Sequence, residues 1–159
     1  MIFITLGSQK FQFDRLLKTV DELVGRGIIT EDVFAQSGYS NYKPQNYSFK
    51  PFLNREEFSD VMGNADLVIT HGGTGAIIGA VKKGKKVIAV PRLAKYGEHV
   101  DNHQLQLIKQ FDSMNIICPC YDLASLEEVI SETRKHTFNT YVSNTDAIIA
   151  SIVKYIDEL

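Results

Sequence analysis

The sequence predicts a single Rossmann-like α/β domain over residues 1–159, with a parallel sheet wrapped by helices on both faces. Three observations predict it. Short apolar runs of β-forming residues alternate along the chain with segments of helical period, as in successive strand–helix–strand units. The runs stop at glycine or proline turns, at Gly7, Gly38, Gly72 and Pro91. One of them, Leu67-Val68-Ile69, is apolar at every position, as expected for a central parallel strand covered on both sides.

Taken in order, Ile2, Phe3, Ile4 and Leu6 form a strand that ends at Gly7-Ser8. Phe13, Leu16, Leu17, Val20 and Val24 then repeat at helical spacing until Gly25-Arg26-Gly27 closes the helix. Val33 to Ala35 is a second strand ending at Ser37-Gly38, and the polar, aromatic stretch from Tyr39 to Pro51 is an extended connection with one short strand around Tyr47 to Phe49. Asn54 is an N-cap, with Glu56 and Glu57 in the first turn of a helix that turns Phe58, Val61 and Met62 inward. Ala65 to Thr70 is a strand running into His71-Gly72-Gly73-Thr74-Gly75, and the next helix carries Ala76, Ile77, Ile78, Ala80 and Val81 to Lys82-Lys83-Gly84. Val87 to Val90 is a strand stopped by Pro91; a loop from Arg92 to Glu98 leads to a helix through Val100, Leu105, Leu107, Ile108 and Phe111. Ile116 to Cys118 is the last strand, Leu123 to Lys135 a helix capped by Ser125, and Asn144 to Leu159 a terminal helix whose stripe of Ile148, Ile149, Ile152, Val153, Ile156 and Leu159 reads as core packing. Crossovers in such a sheet are right-handed.

Composition removes several function classes. Seventeen basic against nineteen acidic residues leave a net charge of −2, without the basic excess that nucleic-acid binding requires. The longest run free of Asp, Glu, Lys and Arg, Leu67 to Val81, holds four glycines and falls short of the roughly 20 apolar residues that span a bilayer. The apolar start lacks the basic region and cleavage site of a secretory signal, so a cytoplasmic protein is expected. Cys118 and Cys120, separated only by Pro119, match neither a CxxC redox pair nor half of a zinc site and read as structural thiols in a reducing compartment. Lys82, Lys83, Lys85 and Lys86 surround Gly84 as cations at a helix C-terminus.

In an open parallel sheet, ligands bind beyond the carboxyl ends of the strands, which directs attention to Gly7-Ser8, Ser37-Gly38, His71 to Gly75 and Pro91 to Glu98. The THGGTGA loop meets the requirements of a phosphate cradle: glycines admit the ligand close to the backbone, and the following helix offers unpaired N–H groups. Neither GxGxxG nor the Walker GxxxxGK[ST] pattern is present, and two loops converging on one anion suit a nucleoside diphosphate better than a dinucleotide. Glu98-His99-Val100-Asp101-Asn102-His103-Gln104 is dense in hydrogen-bonding side chains at the start of the predicted helix, which pairs His99 with His103 and Asp101 with Gln104 for contacts to a polyol, or else caps the helix. The paired histidines lack a third ligand at metal spacing, so no metal site is expected.

THGGTGAIIGAVKKGKKVIAVPR followed by YGEHVDNHQ resembles the C-terminal, donor-binding domain of GT-B glycosyltransferases of the lipid II GlcNAc-transferase type. The short free-standing forms are nearest: catalytic subunits of bacterial capsule and exopolysaccharide β-1,4-galactosyltransferases, and the cytosolic subunit of the eukaryotic two-component UDP-GlcNAc transferase. The resemblance implies a UDP-sugar donor, with Gly7, Ser8, His71, Gly72, Gly73, Thr74 and Gly75 at its diphosphate and Asn102, His103 and Gln104 near its hexose. One position departs: the glutamate that meets the ribose in many relatives is here Gly79.

Glycosyl transfer needs a stabilised leaving diphosphate, a base and an acceptor held in line. The resemblance implies that this chain supplies the first and that a membrane-associated partner subunit brings a lipid-linked saccharide acceptor, the pair sitting at the inner face of the membrane. It implies hexosyl transfer by an inverting enzyme, galactose being the first expectation; the alternatives are a UDP-GlcNAc transferase subunit and a non-catalytic nucleotide-sugar-binding regulatory subunit. No metal or other cofactor is expected, and Glu98, His99 and Asp101 are the candidates for the base.

Overall fold

The computed structural model describes residues 1–140. Six strands form one sheet, β1 (Ile2–Thr5), β2 (Val33–Gln36), β3 (Ser48–Lys50), β4 (Leu67–His71), β5 (Lys86–Val90) and β6 (Cys118–Pro119). Their order is β3-β2-β1-β4-β5-β6 and every pairing is parallel. The chain therefore leaves β1 toward one edge and returns beside it to build the other, which makes the gap between β1 and β4 the point where the winding reverses.

Strand alternation divides the core in two. Ile2, Ile4, Leu6, Ile69, Ile88 and Val90 face α1 (Asp14–Gly25) and α5 (Leu126–Lys135), while Phe3, Val68, Val87 and Ala89 face α2 (Arg55–Asn64), α3 (Thr74–Lys82) and α4 (His103–Ser113). Each Ile, Leu, Val or Phe side chain buried this completely stabilises the fold by about 1.5–3 kcal/mol, against at most about 1 kcal/mol for an exposed ion pair such as Lys50–Glu57. The two apolar layers thus set the architecture. The cap at Asn54 is formed as a full capping box with Glu57.

The connection between β2 and β3 carries no helix, so its backbone groups need other partners. Two carboxylates of α1 provide them. Asp14 accepts from the Asn41 and Tyr42 amides, and the buried Asp21 accepts from the Tyr42 hydroxyl at 2.7 Å and from the Gln45 and Asn46 amides at 2.9 and 2.8 Å. Burial alone would raise the Asp21 pKa, but these hydrogen bonds prevail and hold it below the usual carboxylate range, while the Tyr42 phenol is pushed up to about 12.

Several elements differ from expectation. β3 begins one residue late, and β6 is Cys118–Pro119 in place of Ile116 to Cys118. Ser125 makes no cap bond; Asp122 accepts from the Ala124 amide and opens a 3-10 turn, Leu123–Ser125, so that α5 starts only at Leu126. Val100 is 76% exposed in a loop, since α4 begins at His103. Lys85 and Lys86 donate to the Gly63 and Arg134 carbonyls in the last turns of α2 and α5, as cations at helix C-termini do. Both cysteines are free thiols, Cys120 buried. The terminal helix expected over Asn144 to Leu159 lies outside the described residues. Among those described, no helix is long and apolar enough to cross a membrane.

Candidate functional site at the carboxyl edge of the sheet

β4 delivers His71 to the carboxyl edge with its imidazole turned beneath the glycine loop, 6% exposed. Gln104, in the first turn of α4, fixes its state. The Gln104 side-chain oxygen accepts the amides of Gly72 and Arg92, each at 3.1 Å, so its nitrogen must be the donor that meets His71 Nδ1 at 3.2 Å. This network assigns the imidazole as the Nε2–H tautomer. Burial, reinforced by the Arg92 cation, lowers the His71 pKa to about 3, so the ring is neutral at physiological pH.

The imidazole lies close against two glycines. A Cβ at Gly7 would lie 2.8 Å from its Nε2 and one at Gly73 2.7 Å, and Gly7 also holds φ +72°, so both positions need glycine for the imidazole to fit. A Cβ at Gly72 would meet the Gln104 Cβ at 2.5 Å. Gly73 caps α3 without a side chain, and the amides of Thr74, Gly75 and Ala76 have no carbonyl one turn back within the helix. An imidazole N–H and a helix N-terminus, both fixed in advance, are the donors an anion needs at this spot.

The exit of β1 is held from two sides. Gln36 donates to the Gly7 carbonyl at 3.1 Å and takes the Thr5 hydroxyl at 2.8 Å; Arg92 donates to the Leu6 carbonyl at 2.8 Å. Beside this exit opens a cavity of about 360 Å³, lined by Gly7, Ser8, Gly75 and Ala76 on the loop side and by Leu53, Asn54, Arg55 and Phe58 at the start of α2. A larger cavity of about 420 Å³ lies at the opposite edge among Lys82, Lys85, Lys86, Ile116 and residues 136–140, where the Lys85 and Lys86 ammoniums are already on carbonyls.

The Glu98–Gln104 segment is not one surface. Glu98 is fully buried, its carboxylate held by Arg15 through two 3.0 Å bonds and by the Leu93 amide at 3.0 Å. Arg15 also stacks on Tyr96 at 4.4 Å, so this cluster straps the loop after β5 onto α1 and engages both Glu98 oxygens. Gln104 is buried under Gly72, with its side-chain oxygen committed to two backbone amides. Asn102 Oδ1 accepts the Ala94 amide. Asp101, not a helical repeat, joins the two histidines: His99 Nδ1 lies 3.2 Å from one of its oxygens and His103 Nδ1 3.5 Å from the other, with the His99 ring against Phe11. His103 and Asp101 are open to solvent and His99 partly so. The His103 amide and the two imidazoles lower the Asp101 pKa.

Arg15, Gln36, Arg55 and Arg92 escaped the sequence reading. Gln36 and Arg92 had one visible sign, as the polar residues that end the apolar runs VFAQ and VIAVPR; Arg15 and Arg55 had none. At Gly79, a Cβ would meet nothing within 4 Å. No group of three or more His, Cys, Asp or Glu stands together to hold a metal among the described residues.

Comparison with known proteins gives consistent results. The profile of the glycosyltransferase family 28 C-terminal domain matches residues 1–159. The UDP-N-acetylglucosamine transferase subunit ALG13 of Candida albicans is 25% identical over 112 residues, covering 70% of this chain and 36% of the relative, so the chain spans about a third of that protein's length. Among solved structures, the NMR structure of ALG13 superposes with a TM-score of 0.63 at 18% identity over 98% of this chain and 96% of that one. The crystal structure of Acinetobacter baumannii MurG gives 0.57 at 18%, over 95% and 49%. At such identities the structures speak to the fold.

Proposed function

Because this chain belongs to the glycosyltransferase family 28 C-terminal-domain family, we propose that it is the donor-binding component of a two-component glycosyltransferase and takes UDP-N-acetylglucosamine as its donor. The observation that carries the reading is the neutral His71, locked as an Nε2–H donor between Gly7 and Gly73 beside the open N-terminus of α3. The resemblance in sequence first pointed to galactose; the curated relatives are UDP-N-acetylglucosamine transferase subunits, and they favour the second hexose.

In this proposal the sugar–phosphate bond breaks as the acceptor hydroxyl attacks, and the charge left on the diphosphate falls on His71 Nε2–H and the first amides of α3. Such preorganised donors can each contribute about 3 kcal/mol in an enclosed site. The nucleoside would occupy the 360 Å³ cavity against Leu53, Arg55 and Phe58. No metal enters the scheme. A membrane-associated partner would bring the acceptor, a lipid-linked saccharide, and hold the complex at the cytoplasmic face of the membrane. The base is sought among His99, Asp101 and the partner, Glu98 being held by Arg15.

Calorimetric titration of the full chain with UDP, UDP-N-acetylglucosamine and UDP-galactose tests the reading. Binding of the first two, lost in His71→Ala while that variant stays folded, is the expected result. Equal binding by the variant would remove the site, and a preference for UDP-galactose would restore the other hexose.

A further inference from the structure

The least comfortable group in the described molecule is Arg92. Its side chain is 0% exposed, and two of its donors, Nε and Nη1, have no hydrogen-bond partner. Leaving buried donors unpaired costs stability, so a fold that only needed to fill this space would be better served by an apolar residue. What Arg92 touches suggests another reason for a cation here. Nη2 holds the carbonyl of Leu6, immediately before Gly7-Ser8, and the Arg92 amide shares the Gln104 oxygen with the amide of Gly72. One residue therefore joins the two loops assigned to the diphosphate. Its guanidinium lies over the Phe13 ring, 5.5 Å from the centroid, and Glu98 is its neighbouring anion. That carboxylate already takes both oxygens to Arg15, so Arg15, Glu98 and Arg92 together carry one net positive charge beneath the loops.

We propose that Arg92 is a positioning residue of the donor site: a buried cation that ties the Gly7-Ser8 loop to the His71–Gly75 loop and lays positive charge beneath the diphosphate without touching it. The inference rests on the donor reading above. Water is excluded around the guanidinium, so its field is weakly screened and acts on charge in the ligand and not on a neutral nucleoside. It also opposes protonation of His71, keeping that ring a neutral donor.

The test compares binding of UDP, uridine and inorganic pyrophosphate by the full wild-type chain and by Arg92→Met, Arg92→Gln and Arg92→Lys, with Tm measured alongside. Arg92→Met is expected to bind UDP about tenfold more weakly, with uridine affinity unchanged and Tm unchanged or raised, because a cation is lost while a poorly satisfied buried charge is relieved. Arg92→Lys should recover most of the UDP affinity. If the methionine variant does not fold, Arg92→Gln, which keeps a donor for Leu6, is compared with Arg92→Lys in the same way. Equal losses for UDP and uridine, or losses that follow a falling Tm, would show a structural role only and overturn the inference. Pyrophosphate binding that depends on Arg92 without any UDP binding would overturn the donor reading, and the inference as stated for a donor site, and show Arg92 acting beneath a pyrophosphate site instead. A wild-type chain that binds none of the three overturns both.

Discussion

The floor and the rim of the carboxyl edge are built from the same stretch of chain and work in opposite ways. On the floor, His71, Gln104 and Arg92 are almost wholly buried, and their positions follow from hydrogen bonds that admit one arrangement. On the rim, Asp101 and His103 reach solvent, with His99 mostly covered and its ring against Phe11, and the Asp101 carboxylate takes the His103 amide and lies within 3.5 Å of both imidazoles. Gln104 and His103 are adjacent in sequence, yet one is 7% exposed and the other half exposed. The difference teaches that a polar motif at the start of a helix divides by direction: residues turned under the glycine loop fix its shape from within, and those turned outward keep polar atoms in reach of solvent.

The sharpest way to break this contrast is to remove the hub of the floor. Gln104→Ala strands the amides of Gly72 and Arg92 and releases His71 from its tautomer. Several buried polar groups lose their partners together, and we expect a loss of about 3 kcal/mol in chemical denaturation. A loss under about 1 kcal/mol would mean that the floor is not the interlocked unit described.

The buried imidazole gives a second, pH-dependent test. His71 titrates near 6.5 when unfolded and at about 3 when folded, so between these values the unfolded chain binds the extra proton. Stability must then fall as pH drops below 6.5, by up to about 1.4 kcal/mol per unit from this group, and the contribution is fully present above 6.5. His71→Asn should flatten that part of the profile relative to wild type. Parallel profiles for the two proteins would show that His71 is not buried as a neutral ring.

Much of this was legible in the residues. Periodicity located every strand to within two residues and the helices α1, α2 and α3 nearly to theirs, because each buries one apolar face and the pattern records it. Asn54 was readable as a cap because its partner Glu57 is local. What stayed hidden depends on contacts distant in sequence. Glu98 looks like a surface acid at a helix start until Arg15, eighty-three residues away, is seen to hold it. That Gln104 is buried, with its oxygen on the Gly72 and Arg92 amides, shows only once β4 places Gly72 over it, and α4 starts at His103, after Asn102 has bonded back to Ala94. A single sequence gives local chemistry directly and gives the direction of a side chain only when the pattern repeats.

The rim should respond least in stability and most selectively in function. Asp101→Ala removes the carboxylate between His99 and His103 and the acceptor of the His103 amide, all near solvent, where such pairs contribute under about 1 kcal/mol. Tm should scarcely move, and whatever shift occurs should vanish in high salt, because exposed charges are screened within about 10 Å at 0.1 M ionic strength. UDP affinity should also be preserved, since the proposed diphosphate donors belong to the floor. If transfer by the reconstituted complex nevertheless falls, the loss separates a rim that handles the acceptor or its proton from a floor that binds the donor. If UDP affinity falls as well, the two regions act as one, and the contrast drawn between them fails.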